Sequence, residues 1–85
     1  MYIQVNASRL ADNENYQAYR DSLGKNWGTF GRLRSQYVAF RGGRIVGIKS
    51  NKASIEKLVN SIVCPKEALI VKVGRGCYYR QNGKR

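Results

Sequence analysis

The sequence predicts an α+β fold in which one antiparallel sheet carries two helices, and three observations point to it. Short β-rich runs with alternating side chains lie near positions 2–5, 36–49 and 68–73. Two stretches between them repeat apolar residues at helical spacing. Gly42-Gly43 divides the middle run as the tight turn of a hairpin does. The order β-α-β-β-α-β most simply makes a ferredoxin-like sandwich, with both helices on one face of the sheet and the other face open. The 85 residues form one domain, read here as 1–80 with a basic tail over 81–85.

The elements follow in order. Residues 1–5 alternate, with Ile3 and Val5 on one face and Tyr2 and Gln4 on the other. Residues 11–23 read as a helix that Ser8 or Asp12 would cap and Gly24 would end. Tyr16, Tyr19, Arg20 and Leu23 share one of its faces, so these rings are expected in the core. Residues 25–34 read as a loop broken by Gly28 and Gly31 and carrying Trp27 and Phe30. The hairpin strands are 36–41 and 44–49. Ser50 or Asn51 caps a second helix over 52–63, whose Ile55, Leu58, Val59 and Ile62 form one apolar stripe, and Pro65 stops it. Residues 68–73 make the strongest strand, with the apolar run Leu69-Ile70-Val71 of a central position. Residues 77–80 make a short edge strand.

Charge is the feature that stands apart. Sixteen Lys and Arg against five Asp and Glu give +11, and with no histidine this barely changes between about pH 5 and 8. Arg9 and Arg20 against Asp12, Glu14 and Asp21 leave residues 1–24 at −1, so residues 25–85 hold +12. Such an uneven distribution is what an anion-binding surface requires. Alternation puts Ile3, Val5, Val38, Phe40, Val46, Ile48, Leu69, Val71 and Val73 inward. It leaves Tyr2, Gln4, Tyr37, Arg41, Ile45, Lys49, Ile70 and Lys72 on the open face. Rings interleaved with cations suit a single-stranded nucleic acid, whose bases stack while its phosphates are neutralised. The expected contact residues are Lys25, Trp27, Arg32, Arg34, Tyr37, Arg41, Arg44, Lys49, Lys72, Arg75, Tyr78 and Arg80.

Tyr37-Val38-Ala39-Phe40 resembles the end of the aromatic signature of the RNA recognition motif, a family similar in length and element order. Ser35 and Gln36 depart from that signature, and the segment falls on the second strand where the family has it on the third. No membership is drawn, and the aromatic roles rest on geometry.

Enzyme chemistry lacks its parts. Without histidine the commonest general acid/base is missing, and there is no GxSxG, P-loop or zinc-ligand spacing. Asp12, Glu14 and Asp21 are explained by capping and solvation of a helix start and end. Cys77, between Arg75 and Arg80, has no base partner. No cofactor and no metal are expected. Cys64 and Cys77 read as free thiols, no export signal opens the chain and no membrane-length apolar stretch occurs, which together predict a cytoplasmic protein. The sequence therefore predicts a basic nucleic-acid-binding protein, RNA preferred. The alternative is a small regulatory or inhibitory protein, antitoxin-like or a phage host-takeover factor, docked on an acidic or RNA-bound partner such as an RNA-processing enzyme. A ribosome-associated protein is a third option.

Overall fold

A computed structural model describes residues 2–25, 27–62 and 67–81, with the backbone alone at Trp27, Thr29 and Phe30. Five strands form one antiparallel sheet: β1 (Tyr2–Val5), β2 (Tyr37–Arg41), β3 (Arg44–Lys49), β4 (Ala68–Lys72) and β5 (Cys77–Gln81), in the order β1-β5-β4-β2-β3. The helices are α1 (Glu14–Lys25), a short α2 (Trp27–Arg32) and α3 (Lys52–Asn60), and a 3₁₀ turn, Ala7–Leu10, follows β1.

The α+β class with an antiparallel sheet agrees with the sequence reading, but the arrangement differs from the ferredoxin-like expectation. β4 lies at the centre because all five of its positions are apolar or carry a long aliphatic stem. Ala68, Leu69, Ile70 and Val71 are all fully buried, so both of its faces need cover. β1 takes an edge: it offers half-buried Tyr2 and Val5, while Ile3 is 59% exposed and Gln4 is exposed. Residues 77–81 are not an edge strand. β5 sits between β1 and β4, and Gln81, expected in the tail, belongs to it.

The helices pack on opposite faces, so there is no open ring-studded face. On one side Tyr16 and Tyr19 of α1 meet Val38, Phe40, Leu69, Val71, Val73 and Tyr78. On the other, Ile55 and Val59 of α3 cover Ala39, Ala68 and Ile70, with Tyr2, Tyr37, Val46 and Tyr79 half-buried around them. Each fully buried Val, Leu, Ile or Phe among them contributes about 1.5–3 kcal/mol. The alternation read from sequence holds in β1, β2 and β4. In β3 a bulge opposite Ala39 and Phe40 shifts the parity, which sends Ile45 and Ile48 to the α1 side and Val46 to the α3 side.

Local chemistry sets the helix ends. Asn13, rather than Ser8 or Asp12, caps α1: its Oδ1 accepts from the backbone N–H of Asn15 (2.9 Å) and of Tyr16 (3.1 Å). The helix runs through Gly24, and the expected loop over 25–34 contains α2. Asn51 caps α3 by accepting from the Ser54 N–H at 2.8 Å, and α3 ends at Asn60, earlier than expected. Cys64, Pro65 and residues 82–85 lie outside the described residues. Gly42 and Gly43 adopt φ of 63° and 77°, as their two-residue turn requires.

Candidate nucleic-acid interface

Strand pairing fixes where the charged residues stand. One register row crosses the sheet as Tyr2, Gln81, Ala68, Arg41 and Arg44, next to the Gly42-Gly43 turn. Two residues further along four of the strands, and three along the bulged β3, the row is Gln4, Tyr79, Ile70, Ala39 and Gly47. At the other end stand Cys77, Lys72, Tyr37 and Lys49. All three rows face α3.

On the α3 side, Arg41, Arg44, Lys49 and Lys72 from the strands join Lys52 and Lys57 from α3. Glu56 is the one acid there among the described residues. Lys49 and Lys57 line the same shallow groove with Ser54, Leu58 and Ser61. The acids lie elsewhere. Glu14 and Asp21 are on α1, and Asp12 sits just before it. Glu67 accepts from Asn13 Nδ2 and holds Arg80 through Nε at 2.5 Å. Four of the five carboxylates thus belong to the α1 side. Arg9, Arg20 and Arg80 stand among those carboxylates, so the cationic excess is left to the α3 side.

A second group of cations rings the end of the sheet distal to Gly42-Gly43. Arg34 lies along Gly74, where a Cβ would come within 3.0 Å of its Cγ, and Arg75 sits in the same β4–β5 turn. Gln36 and Ser35 bond to Val73 (Val73 N–H to Gln36 O 2.9 Å, Ser35 N–H to Val73 O 2.9 Å) and hold that turn against the strand entering β2. Arg32 ends α2 and Lys25 ends α1; both are exposed. Beside them, Tyr19, Leu23, Gly31, Arg34, Val73, Gly74 and Gly76 line a cleft of about 540 Å³.

The rings behave differently from the expectation. Tyr78, expected to contact nucleic acid, is a core residue at 8% exposure. It stands edge-on to Tyr16 (5.4 Å between centroids) and near Tyr19 (6.1 Å). Burial pushes its phenol up to about 12. Tyr37 does lie between Lys49 and Lys72, but the Lys72 ammonium sits 5.3 Å from its ring centre. Lys52 likewise stands 4.1 Å over Tyr79, and the Tyr2 hydroxyl shares its proton between the Glu56 carbonyl (3.1 Å) and Asn60 Oδ1 (2.9 Å). These sheet rings are occupied by the protein's own groups.

Of the expected contact residues, the structure brings Arg41, Arg44, Lys49 and Lys72 to one side and Lys25, Arg32, Arg34 and Arg75 to one end. Arg80 points to the α1 side and is paired with Glu67, and the Trp27 side chain lies outside the description. Lys52 and Lys57 are additions. Their value comes from the strand cations beside them. Among the described residues no three His, Cys, Asp or Glu side chains gather as metal ligands, and no helix is long and apolar enough to cross a membrane. No protein family, curated relative or solved structure matches the chain.

Proposed function

We propose that this chain is a nucleic-acid-binding protein, not an enzyme, that grips the phosphate backbone through the α3 side and the adjoining basic end. The observation that carries this reading is the uneven charge across the sheet: six cations against Glu56 on the α3 side, while on the α1 side four carboxylates are mixed with Arg9, Arg20 and Arg80. A surface so biased attracts a polyanion and orients it. The rings on that side are already engaged, and the apolar stripe of α3 is buried in the sheet, so base stacking and groove reading have little to work with. That favours structured RNA, recognised by shape and backbone, over an unpaired strand.

The test compares two charge reversals of equal size. Lys49→Glu with Lys57→Glu alters the α3 side, and Arg9→Glu with Arg20→Glu alters the α1 side; all four residues are exposed. Fluorescence anisotropy on a short RNA duplex should show about tenfold or greater weakening for the first pair and little change for the second at ~0.1 M salt. With about five phosphates neutralised, log K of the unaltered protein falls against log salt with a slope near −3.5 to −4.5. The first pair should flatten it by about 1.5 to 2. Equal effects of the two reversals would refute the interface.

The regulatory reading draws on a separate observation: Ile45 (44% exposed) and Ile48 (40%) flank Arg44 and Lys49 on the free edge of β3. Apolar groups beside cations on an unpaired strand suit an acidic protein surface better than a nucleic acid. A protein purified at low salt without nucleic acid, and giving no shift of labelled RNA or DNA, would favour this second reading.

A further inference from the structure

The cleft at the basic end has walls of a particular kind. Leu23, Val73 and Tyr19 supply apolar surface; Gly31 and Gly76 have nothing within 4 Å of a Cβ position and leave backbone open, while Gly74 lies under the Arg34 stem. Among the described residues, Arg34 is the charged group in the wall and no carboxylate lines the cleft. Its volume of about 540 Å³ falls within the ~300–1,000 Å³ of sites that take small organic groups. By contrast, the depression of about 610 Å³ between the 3₁₀ turn and α1 is more open, and its Arg20 stands beside Asp21, which offsets its charge.

An occupant for the first cleft must have flat apolar faces, a polar edge that can meet exposed backbone, and a negative charge for Arg34. A nucleotide has all three. The cleft also continues from the proposed interface: Arg34 packs on Gly74, Arg75 follows in that turn, and the turn leads directly from Lys72. We propose that the cleft between α1, α2 and the β4–β5 turn receives one unpaired nucleotide from the end of a bound nucleic acid, its base against Leu23, Val73 and Tyr19 and its phosphate on Arg34. This rests on the nucleic-acid reading above and adds to it a preference for strand ends.

Three labelled RNA duplexes test it: one blunt, one with a single overhanging adenosine, and one with the same overhang lacking its base. The adenosine overhang should bind about tenfold more tightly than the other two, the gain expected when one base is stacked and sheltered. Gly31→Leu should remove that gain and leave blunt-duplex affinity unchanged. A Cβ at position 31 meets nothing within 4 Å, so the leucine fills the cleft without disturbing α2. Arg34→Gln is the companion variant should Gly31→Leu fold poorly, and it too should reduce the preference. Equal affinity for all three duplexes overturns the cleft assignment and leaves the backbone reading standing. A preference that survives both variants also overturns the assignment. Failure of all three duplexes to bind overturns both readings.

Discussion

Asn15 is 1% exposed, a polar side chain in the interior, and both ends of its amide are used. Its Nδ2 donates to the Glu67 carbonyl at 3.1 Å, and its Oδ1 accepts from the Gly43 N–H at 2.8 Å. One residue in the first turn of α1 thereby holds the β2–β3 turn and the approach to β4, segments 28 and 52 positions away in sequence. Asn15→Ala leaves both backbone groups without their partner and should cost about 2–3 kcal/mol in urea unfolding. Asn15→Asp separates the two bonds. Its carboxylate still accepts from Gly43 but faces the Glu67 carbonyl, so at pH 7 it should be about as damaging as alanine. Near pH 4 it should recover part of the loss as the protonated carboxyl becomes a donor. Equal stability of Asn15→Asp at the two pH values would contradict this pairing.

α3 can lie close to the sheet because the pair beneath it is small: Ala39 opposes Gly47, and a Cβ on Gly47 would stand 2.6 Å from Leu58 Cδ1. Gly47→Val should therefore cost about 1–3 kcal/mol through forced movement of Leu58. Combined with Leu58→Ala, it should cost at least about 1 kcal/mol less than the sum of the separate changes. Additive losses would mean that the two elements do not bear on each other. Much at this scale was legible in advance. Gly42-Gly43 between two β-rich runs announced the hairpin, and the stripe of Ile55, Leu58 and Val59 announced α3. α2 was hidden because Gly28 and Gly31 lower helix propensity over a six-residue segment that tertiary contacts complete. The bulge in β3 left no mark in composition, yet it reversed the sides of Ile45 and Val46. The doubly buried run Leu69-Ile70-Val71 did carry the signal that both faces of the sheet would be covered. That signal was read for position alone.

At the scale of the molecule, the basic excess was plain in the sequence and its partition was not, because periodicity does not say on which side of a sheet a helix will lie. The partition emerges once α1, with its acids, and α3, with its lysines, take opposite faces. Stability should be flat with pH through the neutral range, there being no histidine, and should fail under alkaline conditions. Burial raises the phenols of Tyr19 and Tyr78, the latter to about 12 from an ordinary 10. A raised folded value favours the protonated form in the native state. Its contribution is complete below pH 10 and is lost as pH rises through about 12. Tyrosinate absorbance and loss of near-ultraviolet circular dichroism should consequently rise together across that interval. Titration of every ring near pH 10 with the fold intact would argue against the buried ring cluster.

The pairing of β1 with β5 joins Tyr2 to Gln81, so the edge strand is held by a neighbour far along the chain. Folding that depends on so long a loop closure is slow, and the sheet cannot be completed before β5 is available. Until β5 arrives, one flank of β4 is unpaired and the first strand has no place to dock. A chain truncated before residue 77 should therefore remain protease-sensitive, and protection should appear in a single step once residues 77–81 are included.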